Sequence, residues 1–323
     1  MPCLADFPPI FIACVAVALG LLFGSFLNVV VHRVPRGESV AWPGSHCPHC
    51  SKPIRAFDNL PVLSYLVLLG RARCCGVRIS PRYPIIEAIS GLYAFAIVRV
   101  QIEALPTDTS IAVALAYFAT SLALGLGLIA SAFIDLEYFY LPDPITYGGI
   151  ALGLLTVPLR HQTTWTESAV GGLIGFLIVW LPFDRLYRLI RGQVGMGLGD
   201  AKLVALAGVW FGWAGAVFTL LAGAVQGTLI ILAVVLTRGK VDEPAAVTAE
   251  REAAQLALAQ AEGEERAELE RALADDPVLS SPAASGLAQA RVPFGPFLVL
   301  AILEYQLLGD ALILPFLFEG GLG

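Results

Sequence analysis

With 57% hydrophobic and 14% charged residues over 323 positions, and a mean hydropathy of +0.76, the chain is too apolar for a soluble domain of its length. The net charge of −6 carries no nucleic-acid footprint, because residues 239–291 alone hold eleven acids against five bases. What remains is a membrane protein with its charges gathered in loops.

A helix needs about 20 apolar residues to cross a bilayer. Eight stretches are candidates: Ile10–Val31, Pro84–Val100, Ile111–Ile134, Ile145–Leu159, Ala169–Leu189, Ala201–Trp213, Ala214–Leu236 and Phe294–Phe318. The sixth has 13 residues and cannot span alone. It begins inside the membrane after a glycine turn, or its helix starts upstream of Asp200. The first lacks a basic leading region and a clear small-residue cleavage site, and so reads as an anchor rather than a removed signal peptide.

Eight bases lie between the first two spans: Arg33, Arg36, Lys52, Arg55, Arg71, Arg73, Arg78 and Arg82. Arg185, Arg188, Arg191 and Lys202 cluster about the junction of the fifth and sixth, whereas Gln101–Ser110 and Arg160–Ser168 share a single base. Basic loops stay in the cytoplasm, which places both termini outside. The expected fold is an all-α polytopic membrane protein of about eight transmembrane helices, with a small cysteine-containing cytoplasmic domain between helices 1 and 2. The divisions are residues 1–31, first helix; 32–83, basic cysteine domain; 84–238, membrane core; 239–291, charged cytoplasmic insertion; 292–323, last helix and C-terminus.

In the first span, Gly24 and Ser25 suit close helix packing, and Asn28 reads as polar glue or as a functional group. His32 reads as interfacial. The loop that follows carries Cys47-Pro48-His49-Cys50 and then Cys74-Cys75-Gly76. Two thiol pairs in a cytoplasmic loop favour tetrahedral zinc over disulfides; a reduced loop held by packing alone is the alternative. Cys47, Cys50, Cys74 and Cys75 are the candidate ligands, with His46 and His49 as substitutes, while Cys3 and Cys14 read as small apolar residues.

Glu87, one turn into the second span, is either functional or paired with Arg82. Asp143, at the start of the fourth span, reads as a structural charge at a helix N-terminus, and Glu137 as a solvated loop charge. Pro244–Asp276 reads as an exposed charged helix with a partial stripe of Leu256, Ala259, Leu269 and Leu273, and 275–289 as a return linker.

Asp135 closes the third apolar run, and Asp200 follows the glycines of Gly195-Met196-Gly197-Leu198-Gly199-Asp200-Ala201-Lys202. A carboxylate beside the bilayer is expensive unless it has a partner or a task. Asp200 alone also fits a helix N-cap; Asp135, at a helix C-terminus where the macrodipole disfavours an anion, does not. Two such carboxylates side by side share a proton, so that one acts as acid while the other activates water. Gly197 and Gly199 leave room for an extended substrate backbone, and Lys202 marks the interface or holds a carboxylate ionised.

Taken together, these segments resemble the bacterial prepilin peptidases, the type IV leader peptidase/N-methyltransferases. The resemblance rests on GSFLNVVVHRVP at Gly24–Pro35, CPHC at Cys47–Cys50, ISPRYPIIE at Ile79–Glu87, FIDLEYFYLPD at Phe133–Asp143, GMGLGDAKL at Gly195–Leu203 and VPFGPFLVLA at Val292–Ala301. It covers nearly the whole chain apart from the insertion. It implies that Asp135 and Asp200 are the catalytic pair of a GxGD-type aspartic protease in the bacterial inner membrane, with the active site at the cytoplasmic face. The implied substrates are prepilins or pseudopilins of a type IV pilus or type II secretion assembly. It further implies S-adenosylmethionine-dependent N-methylation of the new N-terminus, associated with the basic domain and with Arg82, Tyr83 and Glu87. No glycine-rich cofactor loop speaks independently for methyl transfer. The chain departs from the family at Ala72, where the second cysteine pair expects a thiol. Cys74 replaces it if the loop adjusts; otherwise zinc and methylation are the first to be lost. The competing readings are a peptidase without methyl transfer, a proton-coupled transporter, and a non-catalytic membrane scaffold.

Overall fold

The computed structural model describes residues 2–47, 49–160, 163–191, 196–238, 244–261, 263–275 and 292–309. Gly195, the linker after Asp275 and the end of the last apolar run beyond Gly309 lie outside them.

The architecture is helical. α1 is Pro9–Arg33, α2 Arg82–Ile97, α3 Ile111–Tyr138, α4 Asp143–Leu155 and α5 Trp165–Val179. α6 is Leu198–Arg238, α7 Ala245–Gln260, α8 Gly263–Asp275 and α9 Gly295–Leu308. Wide turns extend α2 through Ile102 and α5 through Leu186. Local chemistry sets the ends. Prolines open α1, α4 and α9, where a missing N–H costs nothing. Thr164 and Glu167 form a reciprocal capping box at the start of α5.

Among the described residues, five helices are long and apolar enough to cross a membrane by length and composition. The expected count of about eight is not confirmed, for three reasons. α4 has 13 residues, roughly 20 Å of helix. The last run is described only as the 14 residues of α9. The sixth and seventh runs form one element broken at Gly212, with φ 71° and ψ −172°. This break reverses the chain: a Cβ on Gly215 would lie 3.5 Å from the Ala207 carbonyl oxygen. Residues eight apart in a straight helix are about 12 Å apart along the axis, so Leu198–Phe211 and Trp213–Arg238 are two arms of a hairpin.

Glycines set the helix spacing, as bilayer packing favours. Gly20 and Gly24 of α1 lie against Ser90, Gly91 and Ala94 of α2, and Gly171 and Gly175 of α5 against Gly208 and Val204 of the first arm of α6. Gly223 and Gly227 of the second arm receive Leu298 and Phe297 of α9. One apolar core joins α1, α2 and α3; a second joins α3, α6 and α9.

The Leu4 and Ala5 amides donate to the Thr109 and Thr107 carbonyls. The start of α1 therefore shares a face with the loop before α3, and the end of α3 lies on the opposite face with the cysteine loop. Arg160, the single Lys or Arg of residues 101–110 and 160–168, donates to the Gly153 and Trp210 carbonyls and stands over the Trp210 ring. Its charge closes helix ends rather than meeting lipid. The charged insertion folds as α7 and α8, two helices rather than one, separated near Gly263 with its φ of 59°. α7 touches α3, burying Val247, whereas Leu256 is exposed.

Candidate active site

Asp135 lies one turn before the end of α3 and is 6% exposed. The helix runs three residues past it, then stops at Phe139, whose left-handed backbone returns its N–H to the Asp135 carbonyl at 3.0 Å. The carboxylate has a partner the sequence reading did not name. The Gly295 amide, at the start of α9, donates to Oδ2 at 3.0 Å. A Cβ on Gly295 would lie 2.5 Å from that oxygen, so a glycine is needed for the approach. Its sequence signal is the Phe294-Gly295-Pro296 step that opens the last apolar run.

Asp200 is in the first turn of α6 rather than at its N-cap, since the helix begins at Leu198. Its carboxylate lies beside the Gly197 amide and within electrostatic reach of Asp135. Thus two acids 65 positions apart in the chain meet at the ends of two packed helices. Gly197 is exposed, and a Cβ there would meet only Asp200 Oδ2 at 3.6 Å. Gly199 faces protein: its Cβ would press on Leu141 at 3.1 Å. Lys202 pairs with Asp143 at 2.5 Å and stands over the Tyr147 ring, tying α6 to α4.

Two sequence readings are corrected. Arg82 does not pair with Glu87; it pairs with Glu137, which belongs to α3 and is not a solvated loop charge. Tyr83 lies under the Arg82 guanidinium. Glu87, 8% exposed, accepts the Val62 amide at 2.7 Å, beside Ser25. The reason is helix phase. Arg82 at the very start of α2 reaches sideways to α3, whereas Glu87, a turn deeper, faces α1 and the loop folded back over it. Asn28 donates to the Tyr83 carbonyl at 3.2 Å, the polar link between α1 and α2.

The cysteine loop makes two similar knuckles. In the first, Cys47 donates to the Lys52 carbonyl at 2.9 Å and accepts from the Ser51 amide at 2.8 Å. In the second, Ala72 donates to Val77 and accepts from Gly76, both at 2.8 Å. Ala72 therefore stands where Cys47 stands, and Cys75 matches Cys50. Cys74 supplies the fourth sulfur. The sulfur atoms of Cys47, Cys50, Cys74 and Cys75 all lie within 4.8 Å of one another. Cys47–Cys75 is 3.6 Å, Cys50–Cys74 3.4 Å and Cys74–Cys75 3.8 Å. Tetrahedral zinc–thiolate geometry asks for about 3.8 Å between sulfurs, so the donor set fits. The backbone amides of Cys50 and His49 hold the Cys47 thiol down at about 6, the thiolate side of neutral. Neither His46 nor His49 belongs to this group.

The chain matches two family models: the bacterial peptidase A24 N-terminal domain over residues 18–101 and the type IV leader peptidase family over 122–232. A relative from Pseudomonas putida, a prepilin leader peptidase/N-methyltransferase, is 36% identical over 247 residues, covering 69% of this chain and 81% of the relative. The chain belongs to the type IV leader peptidase family. Relatives of the same description from Aeromonas hydrophila (34% identical, 68% of this chain and 79% of the relative) and Klebsiella pneumoniae (38%, 60% and 82%) agree. No solved structure matches it. Membership makes the chain a membrane enzyme with peptidase activity, and both carboxylates fall inside the leader-peptidase match.

Proposed function

We propose that the chain cleaves the leader from type IV prepilins or pseudopilins with Asp135 and Asp200 as its catalytic pair, and then methylates the new N-terminus. The observation that carries the reading is the meeting of two helix-borne carboxylates at one membrane face. A water between them attacks the scissile carbonyl. One carboxylate takes the water's proton and the other protonates the carbonyl oxygen, so the pair titrates as a unit. The Gly295 amide holds Asp135 in register, and exposed Gly197 leaves Asp200 open to an approaching strand.

The face carrying the pair also carries the basic loops, which supports a cytoplasmic active site in the inner membrane. A prepilin inserted by its apolar helix presents its basic leader there, next to a pilus or secretion assembly. Zinc, held by Cys47, Cys50, Cys74 and Cys75, would cross-link the two knuckles. S-adenosylmethionine supplies the methyl group when bound. Arg82, Tyr83 and Glu87, proposed for methyl transfer, are engaged with Glu137, with each other and with Val62, a role in shaping the domain. An adjacent open groove of about 540 Å³, lined by Tyr65, Arg71, Arg78 and Pro81 among others, is the candidate place for the cofactor, since arginine is the residue type that binds a carboxylate.

The test is mass spectrometry of a prepilin incubated with the protein and S-adenosylmethionine in detergent. Leader loss with one added methylene supports both activities, and leader loss alone confines the chain to proteolysis. An untouched prepilin, cleaved in parallel by a relative, overturns the reading.

A further inference from the structure

The loop between α1 and α2 carries an apolar run that neither the carboxylate pair nor the cysteine knuckles use. From Leu60 to Gly70 (LPVLSYLVLLG) it holds no charged residue. Its middle is a short helix, Leu63–Val67. Leu63 and Leu66 are each 61% exposed, Val67 75% and Leu69 86%. Leu63, Leu66 and Val67 follow the spacing of a single helix face. Apolar side chains gathered on a surface in this way mark an interaction face.

What covers that face follows from its depth. The Val62 amide donates to Glu87 at 2.7 Å, and beyond the short helix the Ile79 amide donates to the Gly70 carbonyl at 2.8 Å. Glu87 is five residues, about 7 Å, past the start of α2. A Cβ on Gly24 would lie 2.9 Å from the Glu87 Cα, and Gly24 is nine residues, about 13 Å, before the end of α1. Both helices are long and apolar enough to span. Near that level they expose Phe26, Ile85 and Ile89, side chains that meet lipid in a spanning helix. The loop therefore folds back past the ends of the helices that hold it. Positive φ at Val62 (61°) and Leu69 (51°) bounds the short helix. Branched and bulky residues rarely accept it, and the bonds from Val62 and to Gly70 hold both turns. After the run, Arg71, Arg73, Arg78 and Arg82 return the chain to the polar side.

We propose that residues 60–70 are a monotopic anchor in the leaflet on the cysteine-loop side, with Leu63, Leu66, Val67 and Leu69 in lipid. The partner is the bilayer itself. An interfacial segment sinks its apolar face roughly 5–10 Å past the headgroups, which matches the depth of Glu87 along α2. The anchor pins the cysteine loop to the membrane beside the start of α2. It needs only that α1 and α2 span, so it stands apart from prepilin cleavage.

The test places a photoreactive phenylalanine analogue at position 67 of the full-length protein in phospholipid vesicles. After illumination, mass spectrometry of the peptide holding that position should show the added mass of one phospholipid. The same analogue in place of Lys52, an exposed residue of the same loop, should show none. Burying one Leu side chain shifts a docking equilibrium about ten- to hundredfold. Leu63→Asp with Leu66→Asp should therefore cut the adduct at position 67 by about tenfold or more. A yield unchanged by the two aspartates overturns the insertion. So does a cross-link from position 67 to a second copy of the chain in place of lipid, or the absence of any lipid adduct there. If the double variant does not fold, positions 67 and 52 decide, and equal lipid yields at the two overturn the anchor.

Discussion

The Gly295 amide donates to Asp135 Oδ2 at 3.0 Å across 160 positions of sequence. That bond ties the last helix to the carboxylate at the end of the third, and fixes one acid of the pair before any substrate arrives.

Gly295→Ala should therefore disturb the site directly. The new methyl would stand 2.5 Å from the carboxylate oxygen. Displacement of a reacting group by about 1 Å costs on the order of 100-fold in rate, and prepilin cleavage should fall by that factor. Gly197→Ala, with 3.6 Å to its nearest neighbour, should lose less. Equal losses in a cleavage assay would remove Gly295 from its holding role.

Asp135→Asn and Asp200→Asn should each abolish cleavage, by roughly 100-fold or more, while the melting profile in detergent keeps its single transition. On the proposed mechanism neither amide can exchange the proton that passes between the two acids. Processing retained by either variant would remove that residue from the catalytic pair.

Arg82 and Glu137 join α2 to α3 with both side chains largely shielded. A double-mutant cycle on thermal or denaturant stability with Arg82→Ala and Glu137→Ala should give a coupling of about 1 kcal/mol. The cycle with Arg82→Ala and Glu87→Ala should give none, because Glu87 takes its hydrogen bond from Val62.

Elemental mass spectrometry of the native chain should find about one zinc per four-sulfur site, and Cys74→Ala should abolish it. Ala72→Cys added to Cys74→Ala should restore it, since Ala72 occupies the first position of the second knuckle. Zinc retained by Cys74→Ala alone would mean another ligand completes the set. Chelation should loosen the loop to proteolysis and leave the helices intact, because metal binding and folding are coupled locally.

Gly208→Ala should destabilise the α5–α6 contact. Its Cβ would lie 2.0 Å from the Gly171 carbonyl oxygen, and overpacking of this kind costs about 1–3 kcal/mol. A lowered melting midpoint in detergent is expected, and an unchanged one would mean the helices do not approach so closely.

Much of this was legible in the sequence, because hydropathy and loop charge are local properties. Apolar runs mark the helices whatever packs against them, and Asp135 and Asp200 stand out because charge beside the bilayer is costly. The cysteines likewise announce themselves by type and spacing. The number of crossings was not legible: a 13-residue run is read only by how its neighbours hold it, and the hairpin at Gly212 depends on one backbone conformation. Partner choice was hidden for the same reason. Arg82 is five positions from Glu87 yet bonds Glu137, because helix phase and not sequence distance decides which side chains meet. Gly295 reaches Asp135, and Cys74 stands in for Ala72, only once the helices and knuckles have packed. A single chain position states what chemistry is available; which atoms come within hydrogen-bond distance is decided by close packing among segments far apart in the chain.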